Sequence, residues 1–266
     1  MSDAPSSGAG RIGVLRDGAI ATVVLDRPAK LNALTRAMWR DLGAAVDGLS
    51  ADDAVRCIIV RGAGERAFSP GNDIGEFSHE RSSKAQAIAY GADMHATARA
   101  LAACRHPMVA EIHGICVGGG LEIAALCDIR ICGEGSRFGA PIKSLGLVMA
   151  YAEMAPLVRL CGADVALEIL LEGRIFDAAE AKDKRLVTRV VPDADVASEA
   201  RATAERIADG APMVARWHKQ FARRLADPAP LTRDEEDACF DCFDTADFRE
   251  GYAAFLAKRK PRFTGR

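Results

Sequence analysis

Short apolar runs alternate with helical patterns through the first half of the chain, and this alternation constrains the fold more than any other feature. Residues 19–25, 57–61, 107–112 and 129–131 are predicted strands, because each run is short, apolar and bounded by turn residues. Apolar residues at helical spacing lie between these runs, and the first set follows Thr35, a predicted N-cap. Strands that alternate with helices form sheets covered by helices, so the sequence predicts an α/β core.

The second half of the chain is predicted to be mostly helical. Its one predicted strand covers residues 187–191, and two helices are expected within residues 231–260. We therefore predict three regions, namely a flexible start at residues 1–11, an α/β core at 12–195 and a helical region at 196–266. The remaining predicted helices span residues 152–160, 164–171, 178–183, 196–209 and 212–225.

Composition and charge narrow the class of protein. The 266 residues carry 35 Lys and Arg against 37 Asp and Glu, and 49% are hydrophobic, as is typical of a globular protein. A net charge of −2 favours neither a nucleic-acid partner nor a membrane surface. No run reaches the roughly 18 apolar residues that a membrane-spanning helix needs, and the first residues lack the apolar segment of a signal peptide.

The eight cysteines are interpreted chiefly as small buried hydrophobes, because most lie within apolar runs. Cys239 and Cys242 have the spacing of a metal-binding pair, but no second pair or nearby histidine completes a set of ligands. We therefore expect no metal site. Cysteines without evident partners also favour a reducing, cytoplasmic location.

The triple glycine at residues 118–120 is the first candidate for a functional site. It follows an apolar strand and opens a helix that carries Glu122. One interpretation is a tight strand-to-helix turn with close backbone packing. The other is that free N–H groups at the helix N-terminus stabilise a negative charge on a ligand. The spacing matches neither a dinucleotide-binding fingerprint nor a phosphate-binding loop.

The loop at residues 68–74 is the second candidate. It follows a predicted strand, and Pro70-Gly71 is a turn dipeptide that can expose backbone N–H groups. Taken alone, the loop is better explained as an ordinary turn.

Taken together, these segments resemble the crotonase (enoyl-CoA hydratase/isomerase) superfamily. The resemblance rests on RPAKLNALT, AFSPGNDI, EIHGICVGGGLEIAALCDIRI, FGAPIKSLGL and LLEGRIFDAAEAKDKRLVTRVV, in this order. It continues to the terminal FREGYAAFLAKRKPRF and covers residues 12–263. It implies an α/β spiral of ββα turns followed by C-terminal trimerisation helices. It also implies an acyl-CoA thioester as the ligand, with no separate cofactor.

The resemblance further implies an oxyanion hole that holds the thioester carbonyl through two backbone N–H groups. These map onto Asn72 and Gly119. Removing a proton from Cα, or adding a nucleophile to Cβ, produces an enolate whose charge lies on that oxygen, and preorganised donors stabilise it. Relatives usually have a smaller residue than Asn72, but the group that acts belongs to the backbone.

Hydratases of the superfamily use two glutamates, and only one is found at its place. Glu122 matches the first, and the dipole of its helix favours the ionised carboxylate; helix capping is the alternative interpretation. The second matches Ile142, directly after Pro141, and this side chain cannot transfer a proton. Tyr151 and Glu153 are either a replacement acid or base, or ordinary residues of a first helical turn.

The resemblance also implies contacts with the coenzyme A part of the ligand. One group lies near the adenine and pantetheine, and a basic C-terminal segment lies near the nucleotide, although solvated surface also explains that segment. The implied contacts are Lys30, Leu31, Ser69, Gly71, Asp73, Ile74, Gly75, Ile142, Lys260 and Phe263.

The sequence therefore predicts an acyl-CoA enzyme of the hydratase/isomerase type, with Glu122, Asn72 and Gly119 as catalytic groups. Because Ile142 puts ordinary hydration in doubt, another acyl-CoA lyase, a decarboxylase and a thioester hydrolase are alternatives, as is a catalytically impaired acyl-CoA-binding protein. The aromatic residues of the C-terminal helices indicate more than a solvated tail, and the resemblance implies a homotrimer or a dimer of trimers.

Overall fold

A computed structural model of the chain describes residues 10–266. The strands in this range are β1 (Arg11–Asp17), β2 (Ile20–Asp26), β3 (Cys57–Gly62), β4 (Ala67–Ser69), β5 (Met108–Ile112), β6 (Ile115–Val117), β7 (Ile129–Gly133), β8 (Arg137–Gly139), β9 (Phe176–Asp177) and β10 (Arg189–Val191). The α-helices are α1 (Arg36–Ala51), α2 (Phe77–Glu80), α3 (Lys84–Ala103), α4 (Gly119–Leu126), α5 (Tyr151–Cys161), α6 (Ala163–Glu172), α7 (Ala178–Asp183), α8 (Val196–Ala208), α9 (Pro212–Arg224), α10 (Arg233–Asp237) and α11 (Ala246–Leu256).

Two sheets form the centre of the fold. The larger has the strand order β1-β2-β3-β5-β7-β10, and the smaller has the order β4-β6-β8-β9. Pairing is parallel except between β1 and β2 and between β8 and β9. The chain alternates between the sheets, because β3, β5 and β7 are each followed by a strand of the smaller sheet and then by a helix. The predicted spiral of ββα turns is therefore present.

Strand β3 shows why its sequence is apolar without interruption. Ile58 and Val60 point into the main core between the sheets, whereas Cys57 and Ile59 point to the other face and pack with Ala200 of α8. Neighbouring residues of a strand face opposite sides, so a strand covered on both sides must be apolar throughout. Helix α8, the first helix of the C-terminal region, is thus an outer layer of the larger sheet.

Most of the predicted elements are present, including the short helix Ala178–Asp183, but strand β1 and the smaller sheet were not predicted. Thr35 caps α1 by accepting a hydrogen bond from the Met38 N–H (3.2 Å). Residues 114–120, predicted as one turn into a helix, contain strand β6, and the rest of the smaller sheet is also absent from the prediction. Its strands have two or three residues each, which is too short for a periodic pattern. These strands pair because successive ββα turns of the spiral place them side by side.

The two ends of the chain differ in what the structure describes. Of the segment predicted to be flexible, residues 1–9 lie outside the described part, and Arg11 begins β1. The C-terminal part is helical, as predicted, with a 3-10 stretch at Ala238–Asp244 between α10 and α11. Between residues 10 and 266, no helix is both long and apolar enough to cross a bilayer.

The buried cysteines confirm the interpretation of most cysteines as small hydrophobes. All eight are free, and five are buried. Burial raises the pKa of the Cys57 and Cys132 thiols to about 12, so they remain protonated. No group of three or more potential metal ligands occurs among residues 10–266.

Two glycine substitutions test the close contact between α4 and the loop after β4. A Cβ on Gly120 would overlap the Ser69 carbonyl oxygen and lie 2.8 Å from the carbonyl carbon. A Cβ on Gly48, at an exposed position of α1, would meet nothing within 4 Å. Gly120→Ala should lower the free energy of unfolding by about 1–3 kcal/mol, as overpacking does. Gly48→Ala should raise it by up to about 1 kcal/mol, because alanine is the better helix former.

Urea denaturation of the two variants measures this difference. Equal stability of Gly120→Ala and the wild type would show that the loop and α4 are not in van der Waals contact.

Candidate functional site

The two loops singled out in the sequence lie against each other. A Cβ on Gly71, which has φ +94°, would lie 3.1 Å from the Cα of Gly119, and one on Gly119 would lie 3.2 Å from the Cα of Gly71. Both positions therefore need glycine for the backbones to approach so closely. This contact brings the loop after β4 to the N-terminus of α4.

Backbone pairing sets the direction of the loop at Asn72. The Gly71 carbonyl accepts from the Leu34 N–H (2.8 Å), and the Asp73 N–H donates to the Leu34 carbonyl (2.8 Å). This pairing leaves the Asn72 N–H on the side away from Leu34. The N–H of Gly119, the first residue of α4, has no acceptor within its own helix. Two backbone donors from different loops are thus available at one place.

The Asn72 side chain is held by α1. Its Oδ1 accepts a hydrogen bond of 2.6 Å from the indole Nε1 of Trp39. The Trp39 ring also lies over Gly119, since a Cβ there would be 3.0 Å from the ring. Trp39 therefore supports both loops, which the sequence analysis did not foresee. A buried indole N–H requires an acceptor. This requirement was the one signal in the sequence that Trp39 has a polar partner.

A cavity opens beside these two N–H groups and contains about 630 Å³ of empty space, part of it open to solvent. Three predicted residues line it together, namely Asn72, Gly119 and Glu122, and so do Ile74 and Ile142. Further apolar surface comes from the segment after Pro141, which contributes Leu145, Leu147 and Val148.

Glu122 lines this cavity from the first turn of α4, and its side chain is half-buried. Burial is the main reason that its pKa is raised to about 8, and the nearby Glu153 carboxylate adds to the shift. The charge of Arg81 acts in the opposite direction. Desolvation thus outweighs the helix dipole that was expected to favour ionisation, so near neutral pH Glu122 is mostly protonated.

Glu153 brings a second carboxylate to the cavity from the first turn of α5. Its Oε2 accepts from the Ala150 N–H (3.0 Å), and its Oε1 lies 3.3 Å from Nε2 of His95 on α3. The two interpretations of Glu153 are therefore compatible, since it closes the helix end and also faces the cavity. Tyr151 points away, with 94% of its surface exposed.

Several other predicted residues shape the loop after β4 and do not line the cavity. The Ser69 hydroxyl donates to the Asn32 carbonyl (2.8 Å) and accepts from the Gly71 N–H (3.0 Å). Asp73 caps the Gly75 N–H (2.9 Å) and pairs with Arg27 (2.7 Å), which holds the pKa of its carboxyl below the usual value.

The remaining predicted contacts lie outside the cavity lining in this single chain. Lys30 is the last residue of a 3-10 turn, and Leu31 ends this turn in a left-handed conformation. Lys260 pairs with Asp209 (2.8 Å), and the Phe263 carbonyl accepts from the Arg56 guanidinium (2.6 Å). The structure therefore separates the C-terminal basic segment from this cavity.

The sequence analysis did not single out several cavity residues, and two of them come from the segment after the loop. Phe77 and Arg81 line the cavity from α2 and from its C-terminal end. They follow the recognised GNDI segment within a short polar stretch, where no periodic pattern or motif identifies individual side chains.

Comparison with known proteins identifies the family of this chain. Residues 16–266 match the enoyl-CoA hydratase/isomerase family. A probable enoyl-CoA hydratase, echA8, of Mycobacterium bovis is 37% identical over 256 residues, covering 95% of this chain and 97% of that protein. A short-chain-enoyl-CoA hydratase of Clostridium acetobutylicum is 31% identical, covering 92% and 94%.

Solved structures show the same similarity. The crystal structure of an enoyl-CoA hydratase/carnithine racemase from Magnetospirillum magneticum superimposes with a TM-score of 0.94 at 51% identity, covering 96% of each chain. An enoyl-CoA hydratase from Bacillus anthracis gives 0.90 at 28% identity, covering 96% of this chain and 99% of that one.

The fold and the paired loops define a member of the crotonase superfamily. Within it, the chain belongs to the enoyl-CoA hydratase/isomerase family, whose enzymes act on acyl-CoA thioesters. The resemblance drawn from the sequence motifs is therefore confirmed.

The burial of Glu122 predicts a specific effect of pH on stability. Its carboxyl titrates near 4.5 when unperturbed and near 8 in the folded chain, so the folded state holds the proton more tightly. Its contribution to stability is therefore lost as the pH rises from about 4.5 to about 8. Glu122→Gln cannot lose a proton, so its melting temperature should exceed that of the wild type by a few degrees at pH 9 but not at pH 4.

Thermal melts at a series of pH values measure this effect. Glu65→Gln, a change at an exposed position outside the cavity, is the control and should give a constant difference from the wild type. A constant difference for Glu122→Gln as well would contradict the assigned burial of a proton-binding carboxyl.

Proposed function

We propose that the protein hydrates a 2-enoyl-CoA thioester, with Glu122 and Glu153 as its two acid–base groups. The observation that carries this proposal is that both carboxylates line one cavity beside the N–H groups of Asn72 and Gly119. Glu153 then does from α5 what the family's second glutamate does from the position of Ile142. An enoyl-CoA hydratase of this kind keeps the family reaction with a relocated carboxylate.

The different surroundings of the two glutamates suggest how they divide the work. Glu153 accepts a proton from water, whose oxygen bonds to Cβ of the enoyl group as the Cα–Cβ π electrons shift towards the thioester. The resulting enolate oxygen is stabilised by the two backbone N–H groups. Glu122, mostly protonated near neutral pH, then donates its proton to Cα, and proton exchange with solvent restores both carboxyl groups.

One observation also favours a second candidate function. Ile142 and the neighbouring Leu145 and Leu147 give the cavity an apolar wall where hydratases of the family have a carboxylate. Such a wall suits another enolate-forming reaction, such as decarboxylation or thioester hydrolysis, in which Glu122 alone acts. Mass spectrometry of products from a panel of acyl-CoA thioesters distinguishes these reactions, and no turnover of any thioester would favour an acyl-CoA-binding protein.

Substitution of the two carboxylates tests the proposed hydratase. Glu153→Gln and Glu122→Gln should each lower kcat for crotonyl-CoA by about 10²–10⁴-fold, the usual contribution of a general acid or base. Tyr151→Phe, two residues from Glu153 but exposed, is the matched control and should be unchanged. The loss of the enoyl absorbance gives the rate.

An unchanged kcat in Glu153→Gln would remove this residue from the mechanism. Crotonyl-CoA left intact by a wild-type enzyme that converts another thioester would instead favour the second candidate function.

We further propose that the chain forms a trimer or a dimer of trimers through its C-terminal helices. The rings of Phe243 and Phe248 lie 4.7 Å apart, and those of Phe248 and Tyr252 lie 6.5 Å apart, so they form one aromatic surface. Exposed apolar surface of this extent is typical of an interface. The exposed apolar side chains of this surface are Phe240, Phe243, Phe248, Tyr252, Phe255 and Leu256.

Light scattering tests this assembly. The wild type should have three or six times the mass of one chain at micromolar concentration. Phe255→Glu, at a side chain that is 80% exposed in the single chain, should shift the protein towards smaller species, because a charge would be buried in the interface. A wild-type monomer at this concentration would contradict the proposal.

Coenzyme A would lie along the loop from Ser69 to Gly75, with Lys30 near its phosphates. Lys260 and Phe263, which lie away from the cavity of their own chain, would then reach the nucleotide end of a ligand only if it extends towards them or belongs to a neighbouring subunit.

A further inference from the structure

Arg81 is a cation in the cavity that neither step of the proposed mechanism uses. It follows α2, and its backbone N–H donates to the Phe77 carbonyl (3.1 Å). Its guanidinium lies 4.7 Å from the centre of the Phe77 ring and 5.1 Å from that of Tyr90. Contacts between a cation and aromatic faces hold the group in place while leaving its N–H donors unused.

The acidic residues nearest to Arg81 in sequence are bound by another arginine. Glu80 accepts from the Arg36 guanidinium (2.7 Å), and Glu76 accepts from the Arg36 N–H (2.8 Å) and the Tyr90 hydroxyl (3.1 Å). Within residues 10–266, the Arg81 guanidinium makes no hydrogen bond or ion pair. A half-buried guanidinium without an acceptor is unfavourable, so its arrangement suits an anion that arrives with a ligand.

The charges around the cavity favour an anionic ligand group. Burial keeps Glu122 mostly protonated near neutral pH. Glu153 has its own partners in the Ala150 N–H and His95. Among the described groups that line the cavity, Arg81 is therefore the charge without a local partner.

The other residues of the cavity indicate which part of the ligand carries this anion. Arg81 shares the cavity with Glu122 and Glu153, which act at Cα and Cβ in the proposed function. The phosphates of coenzyme A lie at the other end of the pantetheine arm, away from the reacting carbons. Other lining residues, namely Ile142, Leu145, Leu147 and Val148, are apolar and suit methylene groups.

We propose that Arg81 binds a carboxylate at the far end of the acyl group, so that the preferred substrates are thioesters of dicarboxylic acids. This inference rests on the proposed function, because it takes the cavity to be the acyl site. A carboxylate matches the guanidinium in two parallel hydrogen bonds, which gives direction as well as affinity. The apolar wall would accommodate the short chain between the thioester and the carboxylate.

Calorimetric binding of two saturated ligands tests the inference without turnover by hydration. Glutaryl-CoA and pentanoyl-CoA have acyl chains of the same length and differ in the terminal carboxylate, and mass spectrometry verifies that both are recovered intact. The wild type should bind glutaryl-CoA roughly 10- to 100-fold more tightly, the range for a hydrogen bond to a charged group. Arg81→Met should lose this preference and keep its affinity for pentanoyl-CoA.

Two variants control the measurement. Arg81→Lys keeps the charge without the planar pair of donors, and should retain part of the preference. Arg11→Met removes an exposed arginine that does not line the cavity, and should retain all of it. If Arg81→Met does not fold, the ligand pair measured on the wild type and on Arg81→Lys still decides the question.

The other outcomes separate this inference from the proposed function. Equal affinity of the wild type for the two ligands would overturn the role of Arg81 and leave the hydratase standing. Equal weakening of both ligands by Arg81→Met would make Arg81 a positioning residue and also overturn the inference. If neither ligand nor coenzyme A itself binds the wild type, the proposed function fails as well.

Discussion

The site depends on one contact, the packing of the loop after β4 against the N-terminus of α4. The backbone of Gly71 is in contact with that of Gly119, and Gly120 is in contact with the Ser69 carbonyl. No side chain therefore separates the two segments. The close contact of these two segments has two consequences for the site. It places N–H groups from two distant parts of the chain side by side, and it fixes the cavity in which Glu122 is buried.

Burial then determines what the carboxylates can do. A glutamate in the first turn of a helix would ordinarily be ionised, because the helix dipole stabilises its charge. Desolvation and the second carboxylate reverse this preference for Glu122, while Glu153 has a backbone N–H and His95 as partners. Two residues of the same type thereby acquire the different environments that acid–base chemistry requires.

The sequence predicted the features that depend on long patterns or on recognisable motifs. The covered strands of the larger sheet, the capped helix after Thr35 and the pair of glycine-rich loops were identified, because buried strands, helical spacing and turn residues leave clear signals. Strand β1 of the same sheet was missed, because most of its side chains are exposed. The smaller sheet was missed, because strands as short as Phe176–Asp177 are paired by their neighbours and not by their own sequence. Trp39 and Arg81 were missed for a related reason, since each reaches the site only through tertiary packing. Glu153 could be proposed as a replacement from its type and place, but only the structure shows that it faces Glu122.

Glu153 also shows how such a fold can change its chemistry. The oxyanion-hole candidates belong to the packed loops, whereas Glu153 stands at the start of α5, beyond an exposed segment that includes Val148. In the proposed function, the groups that bind the thioester are therefore fixed by the core, whereas the group that accepts a proton belongs to the start of a separate helix. Evolution can therefore place the second carboxylate on either segment while every intermediate sequence still folds. Comparing sequences at a single aligned position would then count a catalytic group as lost when it has only changed its place.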